Sequence, residues 1–422
     1  MKTLIKGIIV PIHPDYPPEF DGFIIIKNKK ILSVTKIRPE GAFDCEVDVS
    51  GMVIMPGLVN THTHSSMTLF RGIADDLDLK TWLEHEIFPR ESKLSPENIY
   101  WGAKLAIAEF LLGGCTTFAD MYFMMDEVAR AVQETGIRAN LCQGISGLAG
   151  KNAIDSALSF CNRWQGASDD RIHTMLGPHA IYTCPPDFMK DVIYTAKNNK
   201  LGIHMHLSET KKECTDCIET HCSTPPEILS KLCAFDVPFL AAHCVHLTNS
   251  DMELMRHENV FIALNTGSNF KLASGIAPIA KMVQAGLNLT IGTDGSASNN
   301  DLDLWEEIRW TSLAAKVVGD PKVIPAQDAL KIATENGARA LGWDNLGSLV
   351  PGFLADLIIV DFNKPRLTPV FSHVSHLVYA TKPCDVKHVM IDGQFVVWDG
   401  KITTFDVTET MDNMIKIAQE LV

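Results

Sequence analysis

The chain has 422 residues, of which 46% are hydrophobic and 21% are charged, as is usual for soluble globular proteins. Its net charge of -14 argues against nucleic acid or an anionic membrane surface as the main partner. Eleven cysteines and no recognisable secretion signal predict free thiols in a reducing cytoplasm, and no apolar run reaches the roughly 18 residues that a membrane span requires.

The first 55 residues are predicted to form short β-strands. Residues 4–10, 23–27 and 31–37 are rich in β-branched side chains and are separated by turn residues. The pattern over residues 21–31 is typical of a hairpin. Because no residue here has an evident chemical role, we interpret this part of the chain as a small β module.

From residue 56 to about residue 345, apolar segments alternate with amphipathic helices. Each apolar segment ends in polar or glycine-rich residues. The segments run up to His62 and over residues 116–122, 138–144, 173–179, 202–209, 238–246, 261–269 and 287–294. Eight strand–helix units predict a (β/α)8 TIM barrel. A doubly wound α/β sheet is the alternative, and the count of eight favours closure.

The last part of the chain returns to β character. Helices are predicted over residues 302–317 and 326–341, and strands over 356–361 and 389–398. Because both chain ends are rich in β-strands, we expect residues 1–55 and 346–405 to form one small β-sandwich domain. The catalytic barrel domain would then comprise residues 56–345, and a final helix within residues 406–422 would pack on the outside.

The ends of the predicted barrel strands carry many side chains that can bind a metal. The run Val53, Ile54, Met55, Leu58 and Val59 predicts a buried strand that ends in His62-x-His64. Side chains two apart in a strand point the same way, and active residues of such barrels lie at the carboxyl ends of the strands. The other candidates are His179 at the fourth strand, His206 and Glu209 at the fifth, His243 and His246 at the sixth, and Asp294 at the eighth.

Three histidines and one carboxylate suit a divalent first-row metal, with zinc the default and iron possible. We assign the metal ligands as His62, His64, His206 and Asp294. A binuclear site would usually need a lysine at the end of the fourth strand, where this chain has His179. One metal ion per subunit is therefore predicted.

Two further residues are predicted to act beside the metal. Glu209 lies three residues past His206, where it can reach a water on the metal without binding the metal itself, and we predict that it is the general acid and base. His243 is either a fifth ligand or a hydrogen-bond partner of that water, and we prefer the second role.

A cysteine cluster offers a second possible zinc site. Cys214 and Cys217 are separated by two residues, and His221 and Cys222 follow. Structural zinc sites usually show two well-separated pairs of ligands, and only one pair is present here. Free thiols are the preferred interpretation.

Four sequence motifs lie at the predicted strand ends. They are Pro-Gly-Leu-Val-Asn-Thr-His-Thr-His at 56–64, His-Leu-Ser-Glu at 206–209, Ala-His-Cys-Val-His at 242–246 and Gly-Thr-Asp-Gly-x-Ala-Ser-Asn-Asn at 292–300. With Val-Pro-Gly-x-x-Ala-Asp at 350–356, this set resembles the amidohydrolase superfamily over nearly the whole chain. Within that superfamily it is similar to the 5′-methylthioadenosine/S-adenosylhomocysteine deaminases. The resemblance also suggests a homo-oligomer.

The resemblance implies hydrolytic deamination of an adenine ring to an inosine-type product and ammonia. Water activated by the metal would attack C6, while Glu209 moves protons between water, N1 and the leaving group. Asp294 would take a proton from the water, and His243 would hold the attacking oxygen. The alternative is an amidohydrolase acting on a triazine, another aminopurine or a cyclic amide. A non-catalytic barrel is disfavoured, because every ligand position is filled.

Residues for the nucleoside also follow from the resemblance. Trp82 matches a tryptophan that lines the pocket, Glu91 a glutamate that binds the ribose hydroxyls, and His179 a histidine near the ring and ribose; Glu209 also contacts the base. Gln143 stands where a homologous enzyme acting on S-adenosylhomocysteine has an arginine for the amino-acid carboxylate. Because glutamine is neutral, we predict a preference for 5′-methylthioadenosine, adenosine or 5′-deoxyadenosine.

Overall fold

The strands of the protein form two separate sheets. A computed structural model describes residues 1–77 and 79–421 of the chain. Within these residues each sheet has eight strands. In chain order the strands are β1 (Lys2–Ile9), β2 (Phe20–Lys27), β3 (Lys30–Thr35), β4 (Cys45–Pro56), β5 (Leu58–Thr63), β6 (Cys115–Tyr122), β7 (Arg138–Ile145), β8 (Ile172–Pro178), β9 (Gly202–Leu207), β10 (Phe239–His243), β11 (Val260–Leu264), β12 (Asn288–Ile291), β13 (Leu357–Val360), β14 (Val386–Ile391), β15 (Gln394–Trp398) and β16 (Lys401–Ile402).

Helices follow most of the strands in the middle of the chain. None in the described residues has both the length and the apolar composition needed to cross a membrane. In chain order they are α1 (Leu79–Thr81), α2 (Phe88–Glu91), α3 (Pro96–Gly113), α4 (Met125–Thr135), α5 (Lys151–Trp164), α6 (Ala167–Asp170), α7 (Pro186–Asn199), α8 (Lys211–His221), α9 (Pro225–Lys231), α10 (Asn249–Met255), α11 (Thr266–Lys271), α12 (Ile279–Gln284), α13 (Ser296–Asn299), α14 (Leu304–Lys316), α15 (Ala326–Ile332), α16 (Glu335–Ala340), α17 (His373–Tyr379) and α18 (Val407–Leu421). A π-helix, Trp82–Ile87, joins α1 to α2.

The central sheet is a barrel of parallel strands. Strands β5 to β12 are hydrogen-bonded in sequence order, and every paired neighbour is parallel. Side chains and backbone close the gap between the first and last strand. Thr61 Oγ1 bonds to Thr290 Oγ1 at 2.8 Å, and the Asp294 N–H donates to the His62 carbonyl at 2.9 Å. The predicted (β/α)8 barrel is confirmed.

The second sheet is built from both chain ends. Its strand order is β16-β15-β14-β13-β4-β1-β2-β3. Strand β1 is parallel to β4, and the other pairs are antiparallel, including the predicted hairpin of β2 and β3. Aliphatic side chains such as Ile5, Ile24 and Ile359 form a core of their own beneath this sheet. The C-terminal helix α18 packs on α3, and Val422, the last residue of the predicted helical segment, lies outside the described residues.

Several predicted elements have different boundaries in the structure. The single strand predicted through residues 53–59 is two strands, because Gly57 separates β4 in one sheet from β5 in the other. A Cβ atom at Gly57 would lie 2.1 Å from Thr116 Oγ1, so the turn between the sheets needs glycine. The strand predicted over 261–269 ends at Leu264, and the helix predicted over 326–341 is divided into α15 and α16.

The two sheets are joined by a buried ionic cluster at the amino end of the barrel. Arg138 is the first residue of β7, and its guanidinium donates to Asp356 Oδ2 at 3.0 Å and to Asp392 Oδ1 at 2.6 Å. The Asp392 N–H also donates to Asp356 Oδ1 at 2.8 Å. The side chains of Arg138 and Asp356 are both only 1% exposed. One cation from the barrel therefore holds two carboxylates of the second sheet.

Candidate active site

The carboxyl ends of the barrel strands bring five predicted residues together. His62 and His64 come from β5, His206 from β9 and His243 from β10, while Asp294 follows β12. A donor atom from each of His62, His206 and His243 lies within 4.8 Å of the others, and the same holds for His62, His64 and Asp294. Both groups share His62. The structure thus gathers nitrogen and oxygen donors around a single point.

The four histidines at this point share one orientation. In each ring Nδ1 is hydrogen-bonded outward, and Nε2 faces the other donors. The outward partners are the Met121 carbonyl for His64 (2.6 Å), the His179 carbonyl for His206 (2.9 Å), His204 Nε2 for His62 (2.9 Å) and Asn269 Oδ1 for His243 (2.9 Å). Such outer hydrogen bonds fix the ring orientation and tautomer of histidines that bind metals. They leave four Nε2 atoms for the centre.

The donor set fits a divalent metal ion. His64 Nε2 and His206 Nε2 lie only 3.2 Å apart. His62 Nε2 is buried without a hydrogen-bond partner, 3.4 Å from Asp294 Oδ1. Because a buried polar atom without a partner is costly, a cation that accepts these lone pairs would satisfy the site. Nitrogen and carboxylate donors in this number are typical of zinc.

Asp294 uses its two oxygens differently. Oδ1 faces the Nε2 atoms of His62 and His64 at 3.4 and 3.2 Å, whereas Oδ2 accepts hydrogen bonds from Ser268 Oγ at 2.6 Å and Ser298 Oγ at 2.8 Å. Burial acts to raise the pKa of Asp294, but the interactions of Oδ1 with the two nearby histidines outweigh it and hold that pKa well below its usual range. The carboxylate is therefore ionised, with one oxygen available to the centre.

Glu209 lies beside His243 at the edge of the cluster. Its Oε2 is 3.9 Å from His243 Nε2, and its Oε1 accepts from Ser274 Oγ at 3.5 Å. The residue is only 6% exposed, and this burial raises the pKa of its carboxyl group. A carboxyl group in such a place can both hold and release a proton near neutral pH, as a general acid and base requires.

A second buried carboxylate holds the turn that presents Glu209. Glu213, in the first turn of α8, accepts the Ser208 N–H on Oε1 at 3.0 Å and the Glu209 N–H on Oε2 at 2.7 Å. Ser208 has a φ of +51°, in the left-handed region that a side chain seldom adopts. The two hydrogen bonds therefore stabilise a strained turn directly next to Glu209.

The cluster forms one wall of a cavity of about 400 Å³. Trp82, Glu91 and His179 all line it, as the family resemblance implies. Tyr122 Oη donates to Glu91 Oε1 at 2.5 Å, and burial raises the pKa of Glu91. Burial also lowers the pKa of His179 to about 4, so this imidazole is neutral at physiological pH. Trp82 is the first residue of the π-helix, an element often found at functional sites.

The outer part of the cavity is apolar and carries no cation. Among the described residues that line it, none is lysine or arginine. Most of the outer wall consists of apolar and aromatic side chains, namely Leu79, Leu83, Ile87, Phe88, Phe123, Ile145, Leu148, Tyr182 and Leu272. Gln143 is not part of the lining, since its Oε1 accepts the Met125 N–H at 3.2 Å and so holds the start of α4. His246 also points elsewhere, with Nε2 on the Ser274 carbonyl at 2.8 Å.

Several residues of the site are not evident from strand ends alone. Ser268 and Asn269 lie in the short helix α11, in a segment predicted as strand, and Ser274 lies after that helix. Ser298 is inside the motif at 292–300, which is the only signal that marked it. Neither group of converging donor atoms in the described part of the chain contains a cysteine, and none of the eleven cysteines is in a disulfide.

Comparisons with known proteins agree with this geometry. A model described as the amidohydrolase family matches residues 53–396. A 5-methylthioadenosine/S-adenosylhomocysteine deaminase from Dictyoglomus thermophilum is 47% identical over 382 residues, 90% of each chain. A 5′-deoxyadenosine deaminase from Methanosarcina acetivorans is 43% identical over 99% of this chain and 97% of its own. The crystal structure of an adenosine deaminase from Xanthomonas campestris with bound zinc is 32% identical, with a TM-score of 0.95 over 99% of this chain and 98% of that one.

Proposed function

The chain belongs to the amidohydrolase family, and we propose that it hydrolytically deaminates an adenine nucleoside with a small uncharged 5′ group. Water and the nucleoside would give the inosine-type product and ammonia. The observation that carries the proposal is one cavity lined together by Glu209, by His64, His206 and His243 of the cluster, and by Glu91 and Trp82. The names of the relatives at 47% and 43% identity support the same reaction.

One divalent metal ion, zinc by preference, is part of the proposal. We assign it to the ligands His62, His64, His206 and Asp294, whose buried donors converge. When bound, such an ion supplies Lewis-acid chemistry that makes water a nucleophile near neutral pH. Since His243 Nε2 also faces the centre, it serves either as a further ligand or, as we prefer, as the group that orients the attacking water.

Glu209 and Asp294 move the protons. Glu209, whose pKa is raised by burial, gives a proton to N1 of the ring as water oxygen bonds to C6. Asp294 Oδ1 accepts a proton from the attacking water, while the serine hydroxyls on Oδ2 stabilise its charge. Glu209 then takes a proton from the added hydroxyl and delivers it to the amino group, which leaves as ammonia. The proton held by Asp294 passes to Glu209, and this transfer restores both carboxyl groups to their starting states.

The opposite wall selects the nucleoside. Glu91 can accept both ribose hydroxyls, because each carboxylate oxygen has two lone pairs and Tyr122 occupies only one of them on Oε1. Trp82 supplies an aromatic surface in the nucleoside pocket, and the neutral His179 offers a hydrogen bond near the ring and ribose. The apolar outer wall suits a methylthio or methyl group at the 5′ position. It offers no cation to the carboxylate of S-adenosylhomocysteine, so the preference rests on the whole wall rather than on Gln143 alone.

The test is the change in ultraviolet absorbance when metal-loaded protein meets a panel of nucleosides. The panel contains 5′-methylthioadenosine, 5′-deoxyadenosine, adenosine, S-adenosylhomocysteine and guanosine. We expect the adenine-to-hypoxanthine change with the first three nucleosides. For S-adenosylhomocysteine we expect a kcat/KM that is lower by roughly tenfold or by a larger factor, because a charge-assisted pair is missing. A higher kcat/KM for S-adenosylhomocysteine would overturn the 5′ preference. No turnover on the panel, with one equivalent of metal confirmed, would overturn deamination of these nucleosides.

In that second case the alternative is hydrolysis of a triazine, another aminopurine or a cyclic amide. The Glu91–Tyr122 pair argues against it, because a carboxylate placed to accept two ribose hydroxyls has little use in such a pocket. Metal analysis separates a third possibility, a barrel without activity, which would purify essentially metal-free. The predicted homo-oligomer in the cytoplasm remains a prediction, and light scattering of the purified protein would test the oligomeric state.

A further inference from the structure

Another buried carboxyl group lies near the active site and has no role in the reaction above. Glu307, in α14, is fully buried and forms no ion pair with any described residue. Its Oε1 accepts the Gly267 N–H at 3.0 Å and Asn299 Nδ2 at 2.9 Å, and its Oε2 also accepts the Gly267 N–H at 3.1 Å. Burial raises its pKa well above the usual range. A carboxyl group in this environment is costly, so its presence needs a reason.

The two partners of Glu307 belong to the two short helices that hold the reacting groups. Gly267 is in α11, whose Ser268 donates to Asp294 Oδ2 at 2.6 Å. Asn299 is the last residue of α13, whose Ser298 donates to the same oxygen at 2.8 Å. Each helix therefore places one hydroxyl on Asp294, and Glu307 is hydrogen-bonded to both helices.

The same helices reach two further parts of the site. Asn269 in α11 accepts the Nδ1 hydrogen of His243 at 2.9 Å, which leaves Nε2 facing the cavity. Asn299 Nδ2 also donates to the Thr293 carbonyl at 2.8 Å, immediately before Asp294. A shift of α11 against α13 would thus move the support of Asp294 and of His243 together.

The fit at Gly267 is too close for any side chain. A Cβ atom there would lie 2.3 Å from Glu307 Oε1, 2.4 Å from the Trp310 ring and 2.8 Å from Asn299 Oδ1. The helix α11 can approach Glu307 this closely only because position 267 is glycine. The carboxyl group is therefore held in one place by backbone as well as by side chains.

We infer that Glu307 is a positioning residue that joins α11 to α13. It thereby holds Asp294 and His243 in the relative positions that the reaction needs. It does not touch the substrate, and it acts through Gly267 and Asn299. The inference rests on the proposed deamination for its kinetic readout. Its second readout, the affinity of the site for zinc, does not depend on which substrate is used.

The experiment compares Glu307→Gln with Ser312→Ala, a matched control on the same helix. Ser312 is equally buried, but its hydroxyl bonds only to the Ile308 carbonyl of its own helix. The amide of Glu307→Gln has a single oxygen acceptor, so the contacts of Oε1 and Oε2 with the Gly267 N–H cannot both be kept. We expect kcat to fall about 10- to 100-fold with KM within roughly threefold, and zinc affinity, measured by competition with a chelator, to weaken about 10- to 100-fold. The control should match the wild type in both.

A double-mutant cycle with Ser268→Ala tests whether Glu307 acts through α11. If it does, the loss of kcat in the double variant is smaller than the product of the two single losses. Fully independent effects would overturn the inference, as would a lower melting temperature with unchanged kcat, KM and zinc affinity. Should Glu307→Gln fail to fold, Gly267→Ala displaces the same contact from the other side and is expected to show the same pattern. A wild-type protein inactive on all nucleosides would overturn the proposed function, while the zinc affinities would still decide the inference.

Discussion

Two buried polar clusters lie at opposite ends of the barrel strands. At the amino end, Arg138 meets Asp356 and Asp392, and every oxygen it faces is hydrogen-bonded within the protein. At the carboxyl end, the histidines, Asp294 and Glu209 converge with no lysine or arginine among the described lining residues. His62 Nε2 there has no partner at all.

The comparison distinguishes polar residues that stabilise the fold from polar residues that serve the reaction. The cluster at Arg138 is complete in the folded chain, because the charges compensate each other and the donors match the acceptors. The cluster at the mouth is complete only when a cation and a substrate join it. Substitutions in the Arg138 cluster should therefore change the free energy of unfolding with little effect on catalysis. Substitutions in the cluster at the mouth should lower catalysis with little effect on the free energy of unfolding.

The largest expected effect comes from Glu209→Gln at the mouth. The amide cannot carry the proton between water, N1 and the leaving group, so kcat/KM should fall about 10³- to 10⁴-fold. The free energy of unfolding should stay equal or rise, because a buried carboxyl group is replaced by a neutral one. Steady-state kinetics and denaturant unfolding measure the two. A variant that keeps more than roughly a tenth of the activity would remove Glu209 from the mechanism.

The next effect is at the amino end. Arg138→Met leaves Asp356 buried without its cation, and we expect the free energy of unfolding to fall by about 3–5 kcal/mol. Adding Asp356→Leu should restore more than half of the loss, since Asp392 still has Lys29 at 3.2 Å. Denaturant unfolding of both variants, with kcat/KM of the folded protein as the control, checks this. Equal losses of stability and kcat/KM would mean that the two clusters are not separate.

The smallest expected effect is on the pH dependence of the free energy of unfolding, through the buried carboxyl group of Glu213. Glu213 faces backbone N–H groups rather than a cation, and burial raises its pKa from 4.5 to about 7. The folded state thus binds more protons than the unfolded state between these values, and stability decreases as pH rises from about 4.5 to 7. Glu213→Gln should reduce this slope by up to about 1.4 kcal/mol per pH unit. Unfolding curves across this range test it, and an unchanged slope would contradict the assignment.

The convergence of the proposed metal ligands could be predicted because it follows from strand order. Parallel strands of a barrel end at one rim, so His62, His64, His206 and Asp294 had to come together once the eight segments were recognised. Glu209 and the lining residues Trp82, Glu91 and His179 followed from the motifs and the resemblance. Each lies in the cavity wall.

The supporting residues could not be predicted in this way. Ser268 and Asn269 lie in a segment whose apolar start suggested a strand, and only packing against α14 shows that it is a short helix. Glu307 has no local pattern that distinguishes it from a surface carboxylate on an amphipathic helix. Gln143 lies within β7, but its side chain bonds to the Met125 N–H and does not line the cavity. Such placements depend on contacts between distant segments, which spacing in one sequence does not report.

Gly57 has a consequence for the history of the molecule. A single residue separates β4 of the outer sheet from β5, the strand that ends in His62 and His64. Loss, exchange or insertion of the outer sheet by recombination would therefore change the backbone that carries two of the proposed ligands.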